Sequence, residues 1–166
     1  MLVSLSAAYG SQPGGQRVSP HESATHVVNG ATITITYGRP SKRGRAIFGA
    51  LVPFDEVWMP GADESTILET SAGLRFGGVS LAPGSYSLYM TPSAATWKLI
   101  INKQTGQWHT EYHADRDFAR IDMRIDRLPQ VVEQLTIVAV PVAERSGELR
   151  VEWDTTRAAA PFTVLK

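Results

Sequence analysis

Along most of this chain apolar residues recur at every second position, and no stretch of ten or more residues carries them at the 3.6-residue spacing of a helix. A period of two sends successive side chains to opposite faces of an extended strand, so the chain must build its core from sheet. The clearest run is 120–126, where Ile121, Met123 and Ile125 share one face and Arg120, Asp122, Arg124 and Asp126 the other. Ile33, Ile35 and Tyr37 alternate in the same way with Thr32, Thr34 and Thr36. Asn29-Gly30 separates that run from 24–28. Asn-Gly between two β-prone runs predicts a two-residue type I′ hairpin, which needs positive φ at both central positions. Tyr86, Leu88 and Met90 mark another strand, as do Trp97, Leu99 and Ile101, then Leu149, Val151 and Trp153. The segment 134–140 is nearly continuously apolar and predicts a central strand covered on both faces. Val57 and Trp58 suggest a short strand, and Phe162 and Val164 a final one. The stretch 46–51, ahead of Pro53, allows at most one short helical turn. Strands recurring every 8–12 residues or so between Gly/Pro turns predict an all-β chain, an antiparallel β-sandwich or jelly-roll-like fold of about ten strands.

The length of 166 residues suits one domain, expected over 19–166. Residues 1–18 read as a disordered tail or signal-peptide remnant: 1–8 is apolar with small residues, and a Gly/Ser/Gln/Pro stretch follows. A remnant of that kind places the protein in the periplasm or outside the cell. A disordered tail leaves the cytoplasm open, because a chain without cysteine fits either compartment. The missing cysteine excludes disulfides, zinc–thiolate sites, Fe–S clusters and thiol nucleophiles. Sixteen basic side chains balance sixteen acidic ones, which removes the basic footprint expected of a nucleic-acid binder. Near-neutrality also favours self-association, so a homo-oligomer is an open expectation. No run approaches the ~20 apolar residues of a membrane helix, and no membrane insertion is expected.

Five blocks then carry a resemblance: 35–41 (ITYGRPS), 45–54 (RAIFGALVPF), 57–66 (VWMPGADEST), 81–88 (LAPGSYSL) and 101–108 (INKQTGQW). Together they resemble the bacterial family called domain of unknown function 2911, from about Ser19 to the C-terminus. The resemblance implies a protein of a commonly exported group, and it implies no activity and no catalytic residue. The chain departs from the family's pattern at His109 and His113.

Chemistry-bearing residues gather in three places. Arg39, Lys42, Arg43 and Arg45 fall within seven residues, just after Tyr37. The guanidinium fork suits carboxylate or phosphate, so this loop reads as an anion pocket, or else as a solvated loop tied to Asp63 or Glu64. Trp58, Asp63, Glu64 and Thr66 set an aromatic ring, two acids and a hydroxyl around Pro60-Gly61. Adjacent acids point to opposite sides of an extended chain, so Asp63 and Glu64 can act together only if a turn or bulge reorients one of them. His109, His113 and Asp115, with Glu111 among them, form a weak metal candidate or a polar surface hairpin. The charged stripe 120–126 reads as a solvated face, able to pair with a neighbour carrying Arg150, Glu152 and Asp154. Trp97 and Trp153 fall on apolar faces and predict core packing, which leaves Trp108 as the exposed aromatic.

No nucleophile elbow, P-loop or dinucleotide fingerprint occurs, and no cofactor is expected. The leading reading is a small-ligand-binding or accessory module, with Tyr37, Arg39, Arg43, Arg45, Trp58, Asp63, Glu64 and Thr66 lining a pocket for an anionic or polar ligand. One alternative is a hydrolase or isomerase using Asp63 or Glu64 as general base with help from Arg39. A structural, self-associating domain is the other.

Overall fold

The computed structural model describes residues 19–166, so the expected tail or signal remnant over 1–18 lies outside the described residues. The strands are β1 (His21–Val28), β2 (Ala31–Gly38), β3 (Ile67–Thr70), β4 (Leu74–Phe76), β5 (Val79–Leu81), β6 (Gly84–Thr91), β7 (Trp97–Asn102), β8 (Asp117–Ala143) and β9 (Ser146–Val164). They pair in one antiparallel sheet of order β1-β2-β3-β6-β7-β8-β9-β4-β5. The one helical turn among the described residues is a 3₁₀ turn at Ala114–Arg116, while 46–51 makes hydrogen-bonded turns.

The β1–β2 hairpin forms as the sequence predicts. Asn29 and Gly30 take φ of 48° and 80°, and β1 pairs with β2 without a slip from His21↔Gly38 to Val28↔Ala31. Ile33, Ile35 and Tyr37 are buried, while Thr34 and Thr36 bond to Thr25 and Ser23 on the outer face.

Two long strands replace four short ones. β8 joins the 120–126 and 134–140 runs, and β9 joins the runs around 149–153 and 162–164. Prolines survive inside these strands because the ladder gives way there. Register shifts between Arg127 and Val132 accommodate Pro129, and a shift between Pro141 and Ala143 accommodates Pro141. Pro161 falls between the β9 residues paired to β8, which end at Ala159, and those paired to β4, which begin at Thr163. The segment 134–140 buries Leu135, Ile137 and Ala139 on one face only, and the other is half-buried. Its coverage is therefore one-sided, while its edges pair with β9 and, at Gln134, with Ser41. Asp122 meets Lys98 of β7 in an ion pair, whereas Arg150, Glu152 and Asp154 lie opposite Val138, Thr136 and Val132.

One apolar cluster draws on both halves of this sheet, from Ile33, Leu88 and Leu99 to Ile137, Val151 and Phe162. One part of it is an aromatic group. Phe48 meets Trp97 edge-on at 4.6 Å and Trp58 at 5.7 Å, and Trp58 stacks on Trp153 at 6.3 Å. A smaller cluster of Met59, Tyr89 and Ile100, packed by Tyr112, lies apart from it. Segments 59–66 and 103–117 meet around this second cluster, and they carry the candidate site.

Candidate functional site

The basic loop is tied down by its own fold. Arg39 donates from Nε to the Leu135 carbonyl (3.0 Å), from Nη2 to Thr136 Oγ1 (2.9 Å) and from Nη1 to the Glu22 carboxylate. Tyr37 is buried, and its hydroxyl accepts the Ile137 N–H at 2.9 Å. Arg45 donates to the carbonyls of Lys42 (2.9 Å) and Ser41 (2.6 Å), and Lys42 donates to the Arg45 carbonyl. Arg43 is exposed, and its backbone N–H bonds Glu133. In the second group Trp58 belongs to the aromatic cluster, and Thr66 is fully buried with its hydroxyl on the Pro60 carbonyl at 2.6 Å. Thus Arg39, Arg45, Trp58 and Thr66 all hold positions set by internal contacts.

Asp63 and Glu64 behave differently. Asp63 has a left-handed backbone (φ 67°), an uncommon conformation that Asp tolerates better than most residues. That single reversal breaks the alternation expected of neighbours and turns both carboxylates toward one imidazole. His21 Nε2 lies 2.9 Å from Glu64 Oε2, and its Nδ1 lies 3.8 Å from Asp63 Oδ2 and 3.3 Å from the Ser19 carbonyl. The Asp63 side chain is only 14% exposed, yet its Oδ2 is buried with no hydrogen-bond donor. The Asp63 carbonyl accepts two bonds from His109, one from the backbone N–H (2.8 Å) and one from Nδ1 (2.7 Å).

The 63–65 segment runs antiparallel to 107–109. Glu64 bridges Trp108, and the Ser65 N–H bonds the Gln107 carbonyl at 2.9 Å. Gln107 donates from Nε2 to Ser87 Oγ (3.2 Å) and to the Tyr89 hydroxyl (2.8 Å), and Ser87 bonds Ser65 at 3.3 Å. Gln107 Oε1 is buried without a donor. Gly38 fits because Ala62 passes so close that a Cβ there would sit 2.5 Å from the Ala62 carbonyl oxygen. The end of β2 thereby abuts the loop that carries the two acids.

The three members of the weak metal candidate part company. His109 is engaged with Asp63, while His113 and Asp115 line a separate groove of about 480 Å³ with Lys103, Gln104 and Arg116. Among the described residues no group of three His, Cys, Asp or Glu side chains is placed to hold a metal ion. None of the described helices is long and apolar enough to cross a membrane.

His21 is the member that sequence reasoning left unplaced. A signal for it exists: the Asn29-Gly30 turn fixes the hairpin register and puts His21 opposite Gly38, beside the Arg39 block.

The four described tyrosines report on the burial around these segments. Burial pushes the Tyr37, Tyr86 and Tyr89 phenols above their ordinary range. For Tyr112 burial comes first, and the hydrogen bond and charge of Asp117 add to it against Arg120, holding the phenol up at about 12. The unfolded chain ionises its tyrosines near ~10, so above that pH it binds fewer protons than the folded chain and stability falls. Ultraviolet titration should show these four phenols ionising above the usual range. Chemical denaturation should show stability lost as pH rises from 10 towards 12. An ordinary phenol titration with unchanged stability would contradict this packing.

These features define an all-β protein in which a carboxylate–imidazole cluster, flanked by a tryptophan, sits beside a buried polar network. The chain belongs to the DUF2911 family, described as proteins of unknown function, whose profile matches residues 19–162. Neither a curated protein nor a solved structure matches the chain.

Proposed function

We propose that this protein is an exported small-ligand-binding module whose site is formed by His21, Asp63 and Glu64, with Trp108 and His109 beside them. The carrying observation is Asp63 Oδ2, a buried oxygen on a residue with left-handed backbone, which lies 3.8 Å from His21 Nδ1 and lacks a hydrogen-bond donor. A buried acceptor without a partner costs about 1–3 kcal/mol, and more when it is charged, so a fold gains nothing by keeping one for its own sake. Such a group is kept where a ligand completes it. The general-base alternative has the His21–Glu64 contact in its favour. It loses its electrophile, because the Arg39 fork is occupied by Glu22, Leu135 and Thr136.

Asp63→Asn separates a ligand role from a structural one. Asn accepts the same positive φ and carries no charge to desolvate. It is expected to leave the fold intact and raise stability by about 1 kcal/mol, a rise of roughly 2–4 °C in Tm for a chain of this size. A loss of stability in urea denaturation would make the carboxylate structural and remove the main support for a site. Export rests on the apolar 1–8 stretch with its Gly/Ser/Gln/Pro sequel. Cell fractionation of the full chain tests it, and recovery wholly in the cytoplasm would reject it.

A further inference from the structure

We propose that the Asn29-Gly30 turn is a site of spontaneous covalent modification, at which the Asn29 side-chain amide is lost as ammonia through a succinimide. The only co-reactant is water. The Gly30 backbone nitrogen gives up its proton to solvent and attacks Asn29 Cγ. The Cγ–Nδ2 bond breaks, and Nδ2 takes a proton from water and leaves as ammonia. Water then opens the five-membered ring. Breaking the bond from the ring nitrogen to Cγ leaves aspartate. Breaking its bond to the main-chain carbonyl carbon leaves isoaspartate, with the chain running through Cγ. The net change is amide plus water to acid plus ammonia, with nothing oxidised or reduced.

Both reacting groups are open. Asn29 and Gly30 are exposed, and neither the Asn29 amide nor the Gly30 N–H bonds another described residue. Glycine sets no side chain beside the attacking nitrogen, and nothing lies within 4 Å of where a Cβ would stand. Nucleophile and carbonyl belong to neighbouring residues, so the attack is intramolecular and gains from proximity. The chain's other asparagine, Asn102, has each of these openings closed. It is 1% exposed, its Nδ2 donates to the His113 carbonyl (3.0 Å) and Asp117 Oδ1 (2.9 Å), and its Oδ1 accepts the Gln104 N–H (2.9 Å). The nitrogen that would attack there, that of Lys103, donates to the Arg116 carbonyl at 2.9 Å. The two products act differently on the fold. Aspartate keeps the turn, because Asp-Gly suits the same two positive φ values. Isoaspartate adds a methylene to the backbone between Val28 and Ala31, which are paired and buried, and so breaks the register that the turn sets along β1.

The experiment incubates the full chain, folded, at neutral and at mildly alkaline pH, beside a sample unfolded in guanidinium chloride. After proteolytic digestion, mass spectrometry follows the Asn29 and Asn102 peptides, and chromatography separates the two acid products. In the folded chain the Asn29 peptide should gain the mass that replacing NH2 by OH brings, faster at the higher pH because the attacking nitrogen must lose its proton. The Asn102 peptide should stay unchanged. Asn29→Gly keeps a Gly-Gly pair suited to the turn and should abolish the conversion. The isoaspartate fraction should unfold at a lower denaturant concentration than the aspartate fraction. If Asn29 stays intact in the folded chain while it converts in guanidinium chloride, the turn protects it and the assignment is wrong. If Asn29 and Asn102 convert equally in the folded chain, the change follows unfolding rather than the exposed turn, and the assignment is overturned as well.

Discussion

Trp97→Ala is expected to destabilise this protein more than any other single truncation named here, by about 3–5 kcal/mol. Trp97 is 2% exposed and begins β7, where Phe48 meets it edge-on at 4.6 Å and Trp58 at 6.4 Å. Removing the indole leaves a cavity that its neighbours cannot refill. Phe48 belongs to a loop pinned by the Gly49–Val52 and Val52–Ile47 hydrogen bonds, and Trp58 is fixed by paired backbone bonds to Met90. The edge-on ring pairs are each worth about 0.5–1.5 kcal/mol beyond area burial, and they vanish with the indole. In Tm the loss corresponds to roughly 6–20 °C for a chain of this size. Urea denaturation should show a lower midpoint with an unchanged slope, because the surface exposed on unfolding hardly alters. Trp108→Ala is the control, since Trp108 is half-buried outside the core cluster and its truncation should cost well under that amount. Equal losses from the two variants would mean that the Phe48–Trp58–Trp97–Trp153 group does not anchor the core.

How much of this was readable in advance depends on how far apart in the chain the partners lie. The faces of β2 and the first part of β8 followed from alternation alone, since Ile33, Ile35, Tyr37, Ile121 and Met123 are all buried. The first hairpin followed from Asn29-Gly30, because only that turn chemistry suits two positive φ values in succession. The continuity of β8 through Pro129 was not legible. A proline reads as a strand end unless one knows that the ladder is already broken there by a register shift. In the site, Asp63 and Glu64 were recognisable as residues that could carry chemistry. Their joint approach to His21 was hidden, because it depends on one left-handed φ and on a partner more than forty positions earlier. Arg39 drew attention as the first of four cations within seven residues after Tyr37. Its hydrogen-bond partners Leu135 and Thr136 lie 96 and 97 positions away, and nothing in local spacing reports them.

Arg39 is also where an anion pocket and a structural clasp make opposite predictions. Its guanidinium joins Glu22 of β1 to Leu135 and Thr136 of β8. The backbone on either side repeats the connection: the Arg39 N–H bonds the Pro20 carbonyl, and the Pro40 carbonyl accepts the Leu135 N–H. Arg39→Ala leaves the Glu22 carboxylate without its partner and the Leu135 carbonyl without its side-chain donor, in a region where the arginine side chain is only 23% exposed. Hydrogen bonds to charged groups contribute about 1.5–3 kcal/mol each, and surface exposure of Glu22 at 42% reduces its share, so a total loss of about 2–4 kcal/mol is expected. Arg39→Lys should recover little of it, because an ammonium cannot serve three acceptors fixed in the plane of a fork. A double-mutant cycle with Glu22→Gln should show coupling of about 0.5–3 kcal/mol, as groups sharing one network do. Were Arg39 instead reserved for an anionic ligand, its removal would leave the midpoint of unfolding unchanged and abolish stabilisation by added anions. The three bonds already made by one guanidinium weigh against that outcome, because a ligand would have to displace partners that the fold itself provides.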